Sequence, residues 1–410
     1  MVTENGLMTG LLLFGCAAFG QFCLLVLFIN AVHGSGIKFP FHEPLTVLAL
    51  LAMAVGTSIV GWKVISQPEV AWHWSMQIYG GVCILVGLLG FPLATLALMR
   101  RPIPDGIQGS SQFLELGSTG INGAVRKEKW VGDGQYSWIL RLPGNQSLLP
   151  TFEDHVIELP GLPEELASLR ILHLTDLHLA PCFAREFFEA VVDAGQKLEP
   201  DLVLLTGDIA EHLDTIEWIV PLLSRLKGRL GQFAILGNHD LLYDEQRIRE
   251  AVVQAGFEDI DGRWVTVKVE GKTLALGGTS APWGPTLTNE GLPESHLCIV
   301  LSHTPDQFYR IAAWKSVDLV LAGHNHGGQV RLPMVGPVLM PSIYSRKFDR
   351  GFFRKGRTLM YVSRGLAAKH PLRWNCPPEI SQLMLQPTGH AITHAQRATP
   401  ENLVAESTVG

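Results

Sequence analysis

Apolar residues follow two rhythms along this chain. In the first hundred positions they form unbroken blocks, Leu7 to Ile29, Leu45 to Trp62 and Ile78 to Met99, and none of the three carries a charged side chain. Thr9 and Gln21 are the polar side chains of the first block. A bilayer core is crossed by about 20 apolar helical residues, so the first and third blocks are long enough and the second reaches the minimum. No Lys or Arg precedes the first block and two more follow it, which does not fit a cleaved secretory leader. The pattern predicts three transmembrane helices within residues 1–101.

The second rhythm starts at Leu169. Short apolar runs that end in polar clusters alternate with amphipathic stretches: "RILHLTDLH", "DLVLLTGD", "GQFAILGNHD", "CIVLSHTPD" and "DLVLAGHNH" read as buried strands running into loops. "AREFFEAVVDAGQKL" and "DEQRIREAVVQAG" have the three-and-four spacing of helices, and "WVTVKVEGKTLALGG" reads as a hairpin. This alternation predicts an α/β class with a mixed sheet over residues 165–386. Between the two regions, residues 102–164 are polar and rich in glycine and read as a linker with some β-structure; residues 387–410 read as a disordered tail. No internal repeat is evident.

Charge and cysteines change the picture little. Only 17% of the 410 residues are charged, which follows from the membrane blocks. A net charge of −6 excludes a general nucleic-acid binder. The six cysteines are scattered with no CxxC pair, which suggests neither a disulfide framework nor a zinc-thiolate site. Lys38 and Lys63 lie in the loops between blocks and Arg100-Arg101 ends the third, a bias that predicts an outside amino terminus. The protein is thus expected in the cell (inner) membrane, multi-pass, with its carboxy-terminal part in the cytoplasm.

The chemistry collects at the strand ends: Asp176 and His178; Asp208; Asn238, His239 and Asp240; His303; His324 and His326. In α/β sheets such ends converge on one site. Carboxylates, imidazoles and one amide without a thiolate suit Mn²⁺, Fe²⁺ or Zn²⁺. The donors outnumber the needs of one ion, which points to two divalent metal ions.

The order D-x-H, GD, GNHD, an isolated His and then GHxH resembles the calcineurin-like metallophosphoesterase family from about Leu169 to Ile380. "GHNHGGQVRLP" and "VSRGL" are similar to its membrane-anchored bacterial branch, which includes UDP-2,3-diacylglucosamine hydrolases. The resemblance implies a four-layer α/β/β/α sandwich behind the membrane anchor. It also implies that Asp176, His178, Asp208 and His326 hold one metal, and that Asp208, Asn238, His303 and His324 hold the other. His239 would contact the phosphate and protonate the leaving oxygen, oriented by Glu211 or by Asp240.

Residues 344–374 hold nine of the 32 Lys and Arg residues against one acid, Asp349, with aromatics between them. They read as a cationic rim for an anionic substrate or lipid, with Phe348, Phe352 and Phe353 entering the acyl boundary. The expected function is metal-dependent hydrolysis of a phosphoester or pyrophosphate bond, with a lipid-linked substrate such as UDP-2,3-diacylglucosamine favoured. A phosphodiesterase for a soluble cyclic nucleotide or glycerophosphodiester, and a non-catalytic membrane scaffold, are the rival readings.

Overall fold

The computed structural model describes residues 4–37, 41–66, 74–114 and 128–389. The chain divides into two compact units, residues 1–102 with 332–347, and 103–331 with 348–410. All but the first three residues of the tail expected after 386 lie outside the described residues.

The first unit is built on helices α1 (Glu4–Gly34), α2 (His42–Ser66), α3 (Trp74–Leu85) and α4 (Phe91–Met99), with a π turn at Val86–Gly90 joining the last two. Within them, Met8–Gly34, His42–Lys63 and Gln77–Met99 are long and apolar enough to cross a membrane. At 1.5 Å per residue even the shortest exceeds a hydrocarbon core of about 30 Å. Helix α1 packs against both α2 and α3. Gly20 permits the second approach, since a Cβ there would lie 1.6 Å from the Cys83 carbonyl oxygen. Leu12, Leu48, Val55 and Leu89 point outward and are exposed, a surface that favours lipid over water.

The second unit holds strands β1 (Ile107–Phe113), β2 (Thr151–Leu159), β3 (Leu169–Leu174), β4 (Leu202–Thr206), β5 (Gly231–Ile235) and β6 (Glu258–Asp259). They are followed by β7 (Trp264–Val269), β8 (Lys272–Thr279), β9 (Leu297–Ser302) and β10 (Leu319–Ala322). The last three are β11 (Gly351–Lys355), β12 (Thr358–Val362) and β13 (Glu379–Pro387). One sheet has the order β1-β2-β13-β3-β4-β5-β6 and the other β11-β12-β10-β9-β8-β7. Both mix parallel and antiparallel pairs.

The period of two decides which residues fill which layer. On β3 and β4, Leu169, Ile171, Leu202 and Leu204 face the core that the first sheet shares with Leu297, Ile299, Leu319 and Leu321 of the second. Leu172, Leu174, Val203 and Leu205 alternate to the opposite face. There they meet the apolar sides of helices α5 (Arg185–Gln196), α6 (Ile216–Leu223) and α7 (Glu245–Gln254). The two sheets thus pack face to face with α5, α6 and α7 on the outer face of the first, in line with the α/β sandwich that the resemblance implies.

Two expectations need correction. The stretch 102–164 is more than a linker, because β1 and β2 extend the first sheet and β2 lies buried between β1 and β13. Within β2 the acidic pair Glu153 and Asp154 is buried against Arg364 and Gln382. The aromatic residues of the basic stretch do not enter lipid either: Phe348, Phe352 and Phe353 are buried within the protein. Arg364 and Arg373 are buried too, Arg364 between Glu153 and Glu379, and Arg357 pairs with Asp318.

Candidate metal centre

The donor-bearing loops follow β3, β4 and β5 of one sheet and β9 and β10 of the other, so both sheets deliver their strand ends to one place. The turns are sharp. Asp176, His178, Asp208, His324 and His326 all have positive φ, between 38° and 65°. Non-glycine residues adopt this conformation at a cost that surrounding structure must hold in place. Hydrogen bonds do so here: the His239 amide donates to Asp208 Oδ1 at 2.9 Å, and the His324 amide donates to Asp176 Oδ2 at 3.0 Å. Gly323 is required by the same crowding, since a Cβ there would sit 2.1 Å from Thr175 Oγ1 and 2.3 Å from Asp176 Oδ2.

Three groups of side chains each bring their donor atoms within 4.8 Å of one another: Asp176, His178 and His326; His178, Asp208 and His239; Asp208, His303 and His324. His178 Nε2 and His303 Nε2 both lie 3.4 Å from Asp208 Oδ2, and His303 Nε2 is 2.9 Å from Asn238 Oδ1. All the predicted donors therefore converge.

The donors also fit a cation. His178 Nε2, Asp208 Oδ2 and His326 Nδ1 are buried without a hydrogen-bond partner, a costly state that coordination would relieve. His178 turns its Nδ1 to Glu211 Oε2 at 2.6 Å, and His303 turns its Nδ1 to the Thr206 carbonyl at 2.8 Å. That points each Nε2 into the donor cluster, His303 Nε2 beside Asn238 Oδ1, the usual arrangement of a metal-bound histidine. Burial, reinforced by His178, holds His326 well below the ordinary histidine value, so it stays in its neutral, ligating form.

Glu211 occupies a junction. Its Oε2 also lies 2.7 Å from His239 Nδ1, and its Oε1 accepts from the Tyr243 hydroxyl at 2.9 Å. Burial opposes ionisation of Glu211, but the hydrogen bonds from His178 and His239 outweigh it and bring its pKa down to about 2. Burial likewise opposes a charged His239, yet Asp208 and Glu211 raise its pKa to about 9. His239 keeps its side chain 20% exposed, the access that a group meeting substrate needs.

Asp240 is the correction among the site residues. Its Oδ1 accepts from the Ile209 and Ala210 amides at 2.8 and 3.0 Å, and its Oδ2 from the Gly237 amide at 2.9 Å. It ties the loop after β4 to the loop after β5, and Glu211 is the carboxylate beside His239. Sequence reasoning missed Tyr243 and Trp283, whose ring centre lies 4.7 Å from that of His324. Neither belongs to a spaced motif, and no local signal marks them.

A buried Asp/His cluster at the ends of two facing sheets is a donor set fit for divalent metal ions. Residues 169–328 match the family described as calcineurin-like phosphoesterase, and the chain belongs to that family. It is 29% identical over 287 residues to the uncharacterized metallophosphoesterase YkuE of Bacillus subtilis, across 68% of this chain and 97% of that protein. It is 30% identical over 234 residues to the phosphodiesterase YaeI of Escherichia coli, across 54% of this chain and 84% of that protein. To the UDP-2,3-diacylglucosamine pyrophosphatase LpxG of Chlamydia trachomatis it is 26% identical over 295 residues, across 54% of this chain and 85% of that protein. The family is one of hydrolytic phosphoesterases that bind divalent metals through Asp/His clusters.

Proposed function

We propose that this chain is a membrane-anchored phosphoesterase with two divalent metal ions. Asp176, His178, Asp208 and His326 would hold one ion and Asp208, Asn238, His303 and His324 the other, so that Asp208 would serve both. The observation that carries this reading is the pair of donor triads, Asp176–His178–His326 and Asp208–His303–His324, each within 4.8 Å. Bound divalent cations would neutralise phosphate oxygens and make water a stronger acid.

The chain's own residues supply the rest. Asp208 is shared by both donor sets and fixes their spacing. His239, held protonated by Asp208 and Glu211, donates its proton to the leaving oxygen. Glu211 keeps the His239 ring oriented through Nδ1, and the neutral imidazole left after the transfer takes its proton back from solvent, to which the ring is partly exposed. His178 shares the same carboxylate, so one buried group positions a ligand and the acid together.

We further propose a lipid-linked phosphate substrate, of which UDP-2,3-diacylglucosamine is the leading candidate. The three candidate spans and the similarity to LpxG support it. The similarity to YaeI favours the second reading, a phosphodiester substrate. Arg100 and Arg101 at the end of the third span support a cytoplasmic catalytic unit. The test is turnover by the full chain of UDP-2,3-diacylglucosamine in vesicles, a glycerophosphodiester and a cyclic nucleotide, with an impermeant thiol reagent on intact cells carrying the exposed-site variant Ser316→Cys to report the side. Preferred turnover of the lipid-linked compound is expected. Turnover confined to the soluble esters, or a catalytic unit labelled from outside, would overturn the lipid-linked cytoplasmic reading.

A further inference from the structure

The segment Leu332–Lys347, which follows the last histidine turn, folds with the helices of the first unit and not with the sheets. Its sequence, "LPMVGPVLMPSIYSRK", has no charge before Arg346. Asn30 of α1 is 1% exposed, and both ends of its amide are taken up by this segment. Its Oδ1 accepts from the Met340 amide at 2.8 Å and its Nδ2 donates to Ser345 Oγ at 3.1 Å. Gly34 lets the backbone come close, since a Cβ there would lie 2.5 Å from the Ile343 nitrogen. Arg346 donates to Thr95 Oγ1 at 3.0 Å and to the Val335 carbonyl at 3.1 Å, with its guanidinium 4.7 Å from the Phe91 ring centre.

These contacts give a depth. Asn30 lies one turn before the end of α1, about 6 Å along its axis, and Phe91 lies eight residues before Met99, about 12 Å along α4. A segment bonded to both passes below the helix ends. Meanwhile Met334 is 81% exposed, Leu339 55% and Ile343 52%, so the apolar side chains face outward while the backbone is held by the helices.

We propose that residues 332–347 are a bilayer-embedded loop of the anchor, with Met334, Leu339 and Ile343 among the acyl chains of one leaflet. The proposal rests on reading the three helices as membrane spans. Water is the wrong solvent for such a face, and the absence of charge before Arg346, the satisfied Asn30 amide and the hydrogen-bonded Arg346 guanidinium all match a lipid boundary. Only a few residues of chain separate His326 from the start of this loop at Leu332.

Photo-crosslinking tests this on the native chain without any turnover, so its failure is separable from failure of the metal-site reading. The full-length protein is irradiated in phosphatidylcholine–phosphatidylglycerol vesicles that contain a phospholipid with a diazirine in its acyl chain. Trypsin then releases Leu332–Arg346 for mass spectrometry. Lipid adducts on this peptide and on the helix peptides are expected, with the loop adducts reduced in the Met334→Gln, Leu339→Gln variant. Adducts confined to the helices would overturn the proposal, and adducts on neither would overturn the anchor reading along with it.

Discussion

Glu211 shows how much chemistry rests on single residues here. It accepts from a metal-donor histidine and lies 2.7 Å from Nδ1 of the proposed acid, His239, and the sequence leaves that role open between Glu211 and Asp240. Distance favours Glu211, because both oxygens of Asp240 are occupied by backbone amides. His239→Ala should slow hydrolysis of alkyl esters by about 10² to 10⁴-fold, with a smaller loss on p-nitrophenyl esters, which leave without a proton. The pH profile checks the partner. His239 has its pKa raised to about 9, so its acid form is present below that value and is lost as pH rises through it. Cations on Asp208 would cancel part of that carboxylate's effect and leave Glu211 as the main support. In Glu211→Gln the alkaline fall in rate should therefore move to lower pH; an unmoved limb would mean that Glu211 does not set the acid.

At the scale of elements, the strands β3, β4, β5, β9 and β10 were legible because each is an apolar run that stops at a polar cluster. The same runs made the donors legible, since the end of a buried strand is where a histidine needs a reason. The burial of strand β2 was not legible: "TFEDHVIEL" looks half-solvated, yet Glu153 is buried against Arg364, 211 residues away in sequence. Pairings of that span leave no local pattern, and the burial of arginines in the basic stretch is hidden for the same reason. The tight turns give a prediction of their own. Gly323→Ala would push a methyl into Thr175 and Asp176, so it should strip bound metal and lower turnover by at least about 10²-fold while far-UV circular dichroism stays native. Full metal content in that variant would show that the turn can relax.

For the whole molecule, the three helices were plain from their lack of charge, and the α/β class from the alternation of runs and amphipathic stretches; the sandwich came from the family resemblance. The membership of residues 332–347 in the helical unit was hidden, because Asn30 and its partner Met340 are 310 positions apart. The lipid contact that the sequence placed on the basic stretch falls instead, in our proposal, on the apolar run from Leu332 to Ile343 ahead of it. The centre of the account is a pair of cations sharing Asp208, and metal content measured together with turnover in Asp208→Asn tests it most directly. The wild type should bind two ions per chain, whereas the variant should lose at least one and slow by about 10³-fold or more on every substrate. Two bound ions with near-normal turnover in Asp208→Asn would contradict it.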